Sequence, residues 1–165
     1  MHLLAAILAL WVAVSSEDSL PASPDNERPP CTVVGTPRDD DELRGTTEPD
    51  VICGFGGDDM IFARQGADIV FGGRGHDVVL GRSGKDRLYG GRGVDFLIGR
   101  GGKDLLVGQG SRDCLAAAED TTSDTGDVLR GGVGRDHYSI DPGDVVHSAE
   151  VANLRWCVRH SPHGD

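Results

Sequence analysis

Aspartate recurs every nine residues through the middle of this chain, at Asp41, Asp50, Asp59, Asp68, Asp77, Asp86, Asp95, Asp104 and Asp113. Between Asp59 and Asp113 no aspartate falls outside that register. From Asp50 onward an aliphatic residue follows two places later: Ile52, Ile61, Val70, Val79, Leu88, Leu97, Leu106 and Leu115. Two places before each aspartate from Asp59 to Asp104 stands a glycine: Gly57, Gly66, Gly75, Gly84, Gly93 and Gly102. After Asp113 the register breaks, and it resumes with Asp127 and Asp136. A unit this short cannot bury its own aliphatic side chain, so it can fold only by stacking on copies of itself.

Glycine accounts for 25 of 165 residues, without the strict triplet period of collagen. Ordering so much glycine is costly in backbone entropy, and something besides a large apolar core must offset it. The stretches GGRGHDVVL (72–80) and GGRGVDFLI (90–98) resemble the repeats-in-toxin nonapeptide GGxGxDxUx, with U a large aliphatic residue. The likeness covers residues 36–115, with a degenerate return at 127–141. ARQGADIVF lacks the first two glycines, GRSGKDRLY and GRGGKDLLV carry arginine at the second, and GQGSRDCLA has serine at the fourth.

The resemblance implies an all-β fold: a right-handed parallel β-roll, or β-solenoid, with calcium-binding glycine-rich turns and a short C-terminal cap. It implies several Ca²⁺ ions between turns stacked at each edge. Metal ligation then falls to Asp50, Asp59, Asp68, Asp77, Asp86, Asp95, Asp104, Asp113, Asp127 and Asp136. The turn backbone of Gly72, Gly73, Gly75, Gly90, Gly91 and Gly93 joins them.

The residues themselves support that reading. Glycine accepts left-handed or closely approached backbone, which permits a tight turn. The next four residues favour a strand, with U on one face and its neighbours on the other. One nonapeptide is a turn and a strand, so two make one complete coil, and the U side chains form a thin core between two parallel sheets. Rows of aspartate one strand spacing apart repel, and a hard cation taking six to eight oxygens offsets this.

Sorting the repeats by coil edge separates Asp59, Asp77, Asp95 and Asp113 from Asp50, Asp68, Asp86 and Asp104. The second set is accompanied by Arg64, Arg82 and Arg100, one in each successive coil at the same repeat position, and by Lys85 and Lys103. These cations oppose calcium or replace it, so tighter binding is expected at the first edge. Residues one and three places after each aspartate face outward: Met60, Phe62, Val78, Leu80, Phe96 and Ile98 on one sheet, and Ile69, Phe71, Arg87, Tyr89, Leu105 and Val107 on the other. Such apolar columns suit self-association or a cell-surface partner, unless the C-terminal segment covers one of them.

The flanks carry different signals. Residues 1–16 read as a secretory signal peptide, or alternatively a membrane anchor, although the apolar run Leu3 to Val14 is too short for a comfortable span. Residues 17–32 are a polar, proline-rich linker, 33–115 the roll, 116–126 a loop insertion, and 127–165 a partial last coil and cap. The expected location is therefore extracellular. Four cysteines, Cys31, Cys53, Cys114 and Cys157, favour two disulfides over reduced thiols; three pairings are open, and local pairing would staple each end.

The net charge of −11 belongs to the flanks, because residues 54–113 hold 8 acidic and 9 basic residues. No aromatic platform or motif supports nucleic-acid binding. No nucleophile and base pair is apparent, and Cys157, His160 and His163 make only loose zinc-like spacing. The reading is a non-enzymatic, exported calcium-binding protein that folds on its ions, with an adhesion or interaction module as the alternative.

Overall fold

The computed structural model describes residues 28–39, 42–117 and 126–147. The proposed signal peptide, most of the linker, Asp41, residues 118–125 of the loop and the tail from 148 onward lie outside the described residues.

The chain advances as short strands separated by glycine turns. In order they are β1 (Val33–Val34), β2 (Leu43–Arg44), β3 (Val51–Cys53), β4 (Met60–Gln65), β5 (Ile69–Arg74), β6 (Val78–Ser83) and β7 (Arg87–Arg92). They continue as β8 (Phe96–Gly101), β9 (Leu105–Gly110), β10 (Cys114–Ala116), β11 (Val128–Val133), β12 (His137–Ser139) and β13 (Val145–Val146). Odd strands form a seven-stranded sheet in the order β1-β3-β5-β7-β9-β11-β13, and even strands a six-stranded sheet, β12-β10-β8-β6-β4-β2. Every pairing is parallel, and the described residues contain no helix. This is the β-roll expected from the period of nine.

Register is set by U. Val79 pairs with Ile61 and Leu97, and Leu88 with Val70 and Leu106, so identical repeat positions stack one coil apart. Ile52, Ile61, Val70, Val79, Leu88, Leu97, Leu106 and Leu129 are fully buried, and Tyr138 closes the C-terminal end of the same core. A parallel sheet normally needs cover on both faces. Here each sheet covers the inner face of the other with one aliphatic residue per strand.

The outward columns differ from the open patches expected of them. Phe96 is only 9% exposed and Val107 6%, while Met60, Phe62, Val78, Leu80 and Ile98 are half-buried. Phe96 packs with Cys114, Val78 and Val94. On the other sheet Phe71 and Tyr89 stack at 5.1 Å between centroids, with the Arg28 guanidinium 4.4 Å from the Phe71 ring centre. Side chains one coil apart are close enough to cover one another, which the alternation alone does not reveal.

Cys31 and Cys53 form a disulfide across the first coil, which staples the N-terminal end as local pairing requires. Cys114 is also disulfide-bonded, with its partner outside the described residues.

Turn geometry makes a direct test of the stacking. Gly84 has φ +134°, and a Cβ there would stand 1.6 Å from the Gly66 carbonyl oxygen of the preceding coil. Gly101, in an equivalent glycine-rich turn, has room, its nearest neighbour being the Arg82 carbonyl at 3.6 Å. Gly84→Ala is expected to destabilise the roll by on the order of 3 kcal/mol or more, whereas Gly101→Ala should stay within about 1 kcal/mol of the parent. Urea denaturation followed by circular dichroism measures both, and equal losses would contradict coil-on-coil contact at Gly84.

Candidate metal centre

The repeat aspartates form two ladders. On the first edge the backbone N–H of Asp59 donates to Oδ1 of Asp77 at 3.0 Å, that of Asp77 to Asp95 at 2.9 Å, and that of Asp95 to Asp113 at 3.0 Å. The N–H of Asp113 donates to Asp136 at 3.0 Å. On the second edge the same bond joins Asp50 to Asp68 (2.8 Å), Asp68 to Asp86 (2.9 Å), Asp86 to Asp104 (2.9 Å) and Asp104 to Asp127 (2.7 Å). All ten sequence-derived aspartates are therefore in place and buried, five to each edge.

Each ladder bond uses one carboxylate oxygen. The other, Oδ2, is buried without a hydrogen-bond partner in Asp68, Asp77, Asp86, Asp95 and Asp113. It points toward the first residue of its own turn. A Cβ on Gly72 would lie 2.3 Å from Asp77 Oδ2 and 2.7 Å from the Gly90 carbonyl oxygen of the next coil. Gly108 faces Asp113 Oδ2 and the Gly131 carbonyl in the same way, at 2.3 and 2.7 Å. An uncompensated carboxylate oxygen and a carbonyl oxygen thus converge on one point, and glycine at position one leaves that point clear.

The remaining turn glycines set the curvature. Gly73, Gly75, Gly91 and Gly93 all have φ between +122° and +124°. The second turn position keeps this left-handed backbone where it is not glycine, as at Arg64 (φ 88°), Arg82 (83°), Arg100 (75°) and Phe55 (75°). That conformation costs an L-residue roughly 1–2 kcal/mol. The departures from the repeat at these positions therefore strain the turn without altering its path.

Burial dominates the electrostatics. It pushes the Asp77 carboxyl up to about 7, aided by the negative charge of Asp95, and that of Asp113 up to about 8. Asp86 and Asp95 rise to about 6, and Asp68 and Asp136 are raised as well, in each case first through burial and against the hydrogen bond from the preceding coil. Asp50 at the N-terminal end is the exception. Burial opposes its ionised form, but the Thr46 backbone and the Thr32 and Thr46 hydroxyls outweigh this and hold it below the usual range.

Three features were missed in the sequence. Asp144 extends the second ladder, accepting from the Asp127 N–H at 3.1 Å, and Asp141 donates its N–H to the other Asp144 oxygen at 2.7 Å. Its signal was Gly143 immediately before and Val146 two places after. Beside the first ladder runs a second column one residue earlier. There Asp58 donates to Asp39 (3.0 Å), His76 to Asp58 (2.7 Å) and Val94 to His76 Nδ1 (2.8 Å), always from backbone N–H to side chain. The first edge also carries cations, Arg74 and Arg92 at the third turn position and Arg112 at the fifth, so the two edges differ in where their cations stand more than in having them.

Among the described residues no three His, Cys, Asp or Glu side chains gather closely enough to hold a metal by themselves. A cation between coils must draw on turn carbonyls as well as carboxylates. The pairing of an orphaned Oδ2 with a neighbouring carbonyl fits a hard, oxygen-seeking cation of the calcium type.

A parallel roll whose glycine turns hold two ladders of buried carboxylates, several with one oxygen unpaired, has the build of a cation-binding repeat solenoid. The family model for the RTX calcium-binding nonapeptide repeat (4 copies) matches residues 38–70, 63–97 and 80–115, so this stretch of the chain is built of repeats of that calcium-binding type. No curated protein and no solved structure matches the chain.

The raised carboxyl groups yield a pH dependence for the metal-free protein. Their folded values of about 6 to 8 exceed the ordinary 3.8, so the roll holds protons more tightly than the unfolded chain does. Stability from this source is complete below about pH 4 and is lost as pH rises through 6 to 8. The calcium-free chain should therefore be best folded near pH 5, and should melt at lower temperature or lose its cooperative melt as pH rises to 8.5. Thermal circular dichroism on exhaustively decalcified protein checks this, and a melting temperature that rises with pH would contradict it.

Proposed function

We propose that this protein is an exported calcium-binding protein whose β-roll is completed by several Ca²⁺ ions, and that it has no catalytic role. The observation that carries this reading is the buried, unpartnered Oδ2 facing a carbonyl oxygen of the next coil, repeated along the stack. Bound calcium supplies positive charge and accepts six to eight oxygen ligands. The candidate carboxylates are Asp59, Asp77, Asp95, Asp113 and Asp136 on the first edge and Asp50, Asp68, Asp86, Asp104 and Asp127 on the second. Gly72, Gly73, Gly75, Gly90, Gly91 and Gly93 keep the turn backbone close enough for its carbonyls to take part.

Magnitudes favour a folding role over simple storage. Extracellular calcium sites have dissociation constants of order 10⁻⁴ to 10⁻³ M. At about 1 mM calcium each such site contributes roughly 0.4–1.4 kcal/mol. About five sites then contribute roughly 2–7 kcal/mol, comparable to the whole stability of a small domain. Export is supported by the apolar N-terminal stretch and the disulfides, which belong to an oxidising, calcium-containing compartment. No helix among the described residues is long and apolar enough to cross a membrane.

The interaction-module alternative rests on the outward columns. Their half-buried state favours a smaller contact surface than the alternating sequence suggests. A hydrolase reading gains no support: His137 stands in register with Cys114, whose sulfur is already in a disulfide.

Calcium titration of the oxidised chain, followed by circular dichroism and calorimetry, tests the proposal. β signal and a cooperative melt should appear together as calcium binds at neutral pH. Asp77→Asn should lower both calcium affinity and melting temperature. A decalcified chain with full β signal and the same melting temperature at pH 7.5 would overturn the folding role.

A further inference from the structure

The two edges share a ladder but differ at the place where the unpaired oxygens converge. All five first-edge turns open with glycine: Gly54, Gly72, Gly90, Gly108 and Gly131. On the second edge Gly45, Gly81 and Gly99 are joined at the corresponding positions by Ala63 and Ala117, both fully buried. Ala63 thus sets a methyl group at the position that glycine leaves clear beside Asp77 and Asp113 Oδ2.

The second turn position separates the edges independently. The first edge has Gly73, Gly91 and Gly132 there, with the uncharged Phe55 and Gln109, against Arg64, Arg82 and Arg100 on the second, all three arginines in left-handed backbone. Arg64 reaches back one coil, where its Nη1 donates to the carbonyl oxygen of Gly45 at 3.4 Å. Gly45 opens the preceding turn, so that guanidinium occupies a position-one carbonyl oxygen of the kind a cation would use. Arg82 also reaches back, over the Phe62 ring of the previous coil. Position five adds Lys85 and Lys103 on this edge, whereas the first edge has Asp58 and His76, whose side chains cap backbone N–H groups of the next coil, and Val94, with cations there only toward the C-terminal end at Arg112 and Arg135. The first-edge arginines Arg74 and Arg92 stand at the third position and leave positions one and two to glycine.

We propose that calcium is confined to the first edge, and that on the second edge alanine methyls and the arginine column close the turns without it. This rests on the calcium-binding reading above and assigns that reading to one half of the turns. The chain would be a one-edged roll, cation-bridged through Asp59, Asp77, Asp95, Asp113 and Asp136 and held by its own guanidinium groups along Asp50, Asp68, Asp86 and Asp104.

Calorimetric titration of the full oxidised chain with calcium chloride at fixed ionic strength decides it. The parent should bind up to one ion for each of the four first-edge ladder steps. Asp77→Asn should lose at least one ion or weaken binding tenfold or more, while Asp86→Asn should leave number and affinity within twofold of the parent. The double change Ala63→Gly with Arg64→Gly should add an ion. Equal losses in Asp77→Asn and Asp86→Asn, or about eight ions in the parent, would overturn the one-edged arrangement while sparing the calcium reading. Absence of calcium binding in the parent would overturn both. Should the double glycine chain fail to fold, the Asp77 and Asp86 comparison still decides.

Discussion

Stacking identical aspartates one strand spacing apart, about 4.8 Å, is the constraint on which the rest of this molecule depends. The arrangement is locally favourable, because each Oδ1 satisfies a backbone N–H that a tight turn would otherwise leave buried and unpaired. It is globally unfavourable, because every such carboxylate brings a second oxygen and a charge into the same dry space. Protons or a bound cation relieve that conflict, which makes the roll's stability a property of its solution as much as of its sequence. Position-one glycine follows from the same conflict, since a side chain there would fill the space into which Oδ2 points.

The ends of the second ladder show what a resolved conflict looks like without a cation. Asp50 has both oxygens satisfied, Oδ1 by the Thr32 hydroxyl at 2.7 Å and Oδ2 by the Thr46 backbone N–H and hydroxyl at 2.6 and 2.8 Å. Asp144 receives the Asp127 and Asp141 N–H groups. Thr32 stands 18 positions before Asp50, where the ladder would otherwise place another aspartate, and Thr46 stands at the second position of Asp50's own turn. The turns of Asp68 to Asp113 carry aspartate at the first of these places and no hydroxyl at the second, so they lack such donors. The Cys31–Cys53 bond reinforces the N-terminal end, closing a loop of 22 residues that by chain entropy contributes roughly 3 kcal/mol.

Much of this was legible in the sequence, because a strict period of nine leaves few choices. Two repeats per coil, the U core, and the assignment of Asp59, Asp77 and Asp95 to one edge and Asp50, Asp68 and Asp86 to the other all follow from counting. Periodicity says which residues stack but not which atoms meet. The ladder bond runs from the N–H of one coil to Oδ1 of the next, a choice set by turn curvature and invisible in residue names. The Asp39, Asp58 and His76 column was hidden because its members are chemically different residues at one repeat position. The covering of Phe96 was hidden because alternation gives a side chain's face and says nothing of its neighbours one coil away.

The interruption between Asp113 and Asp127 shows how far the ladder governs chain path. From Asp50 to Asp113 ladder partners are separated by 18 positions, as Asp86 and Asp104 are, but Asp104 to Asp127 and Asp113 to Asp136 span 23, and the final step from Asp127 to Asp144 spans 17. The coil has been lengthened by an odd number of residues, yet the two bonds are 2.7 and 3.0 Å, as short as those in uninterrupted turns, and β11 pairs with β9 in the expected register. If strand length dictated the stack, an odd-numbered insertion would flip every following side chain to the opposite face. Leu129 and Tyr138 instead remain in the core and Asp127 and Asp136 on their edges. The carboxylate to backbone bond and the U side chain together restore register after the insertion, so the extra length is taken up between β10 and β11 and not within the stacked coils.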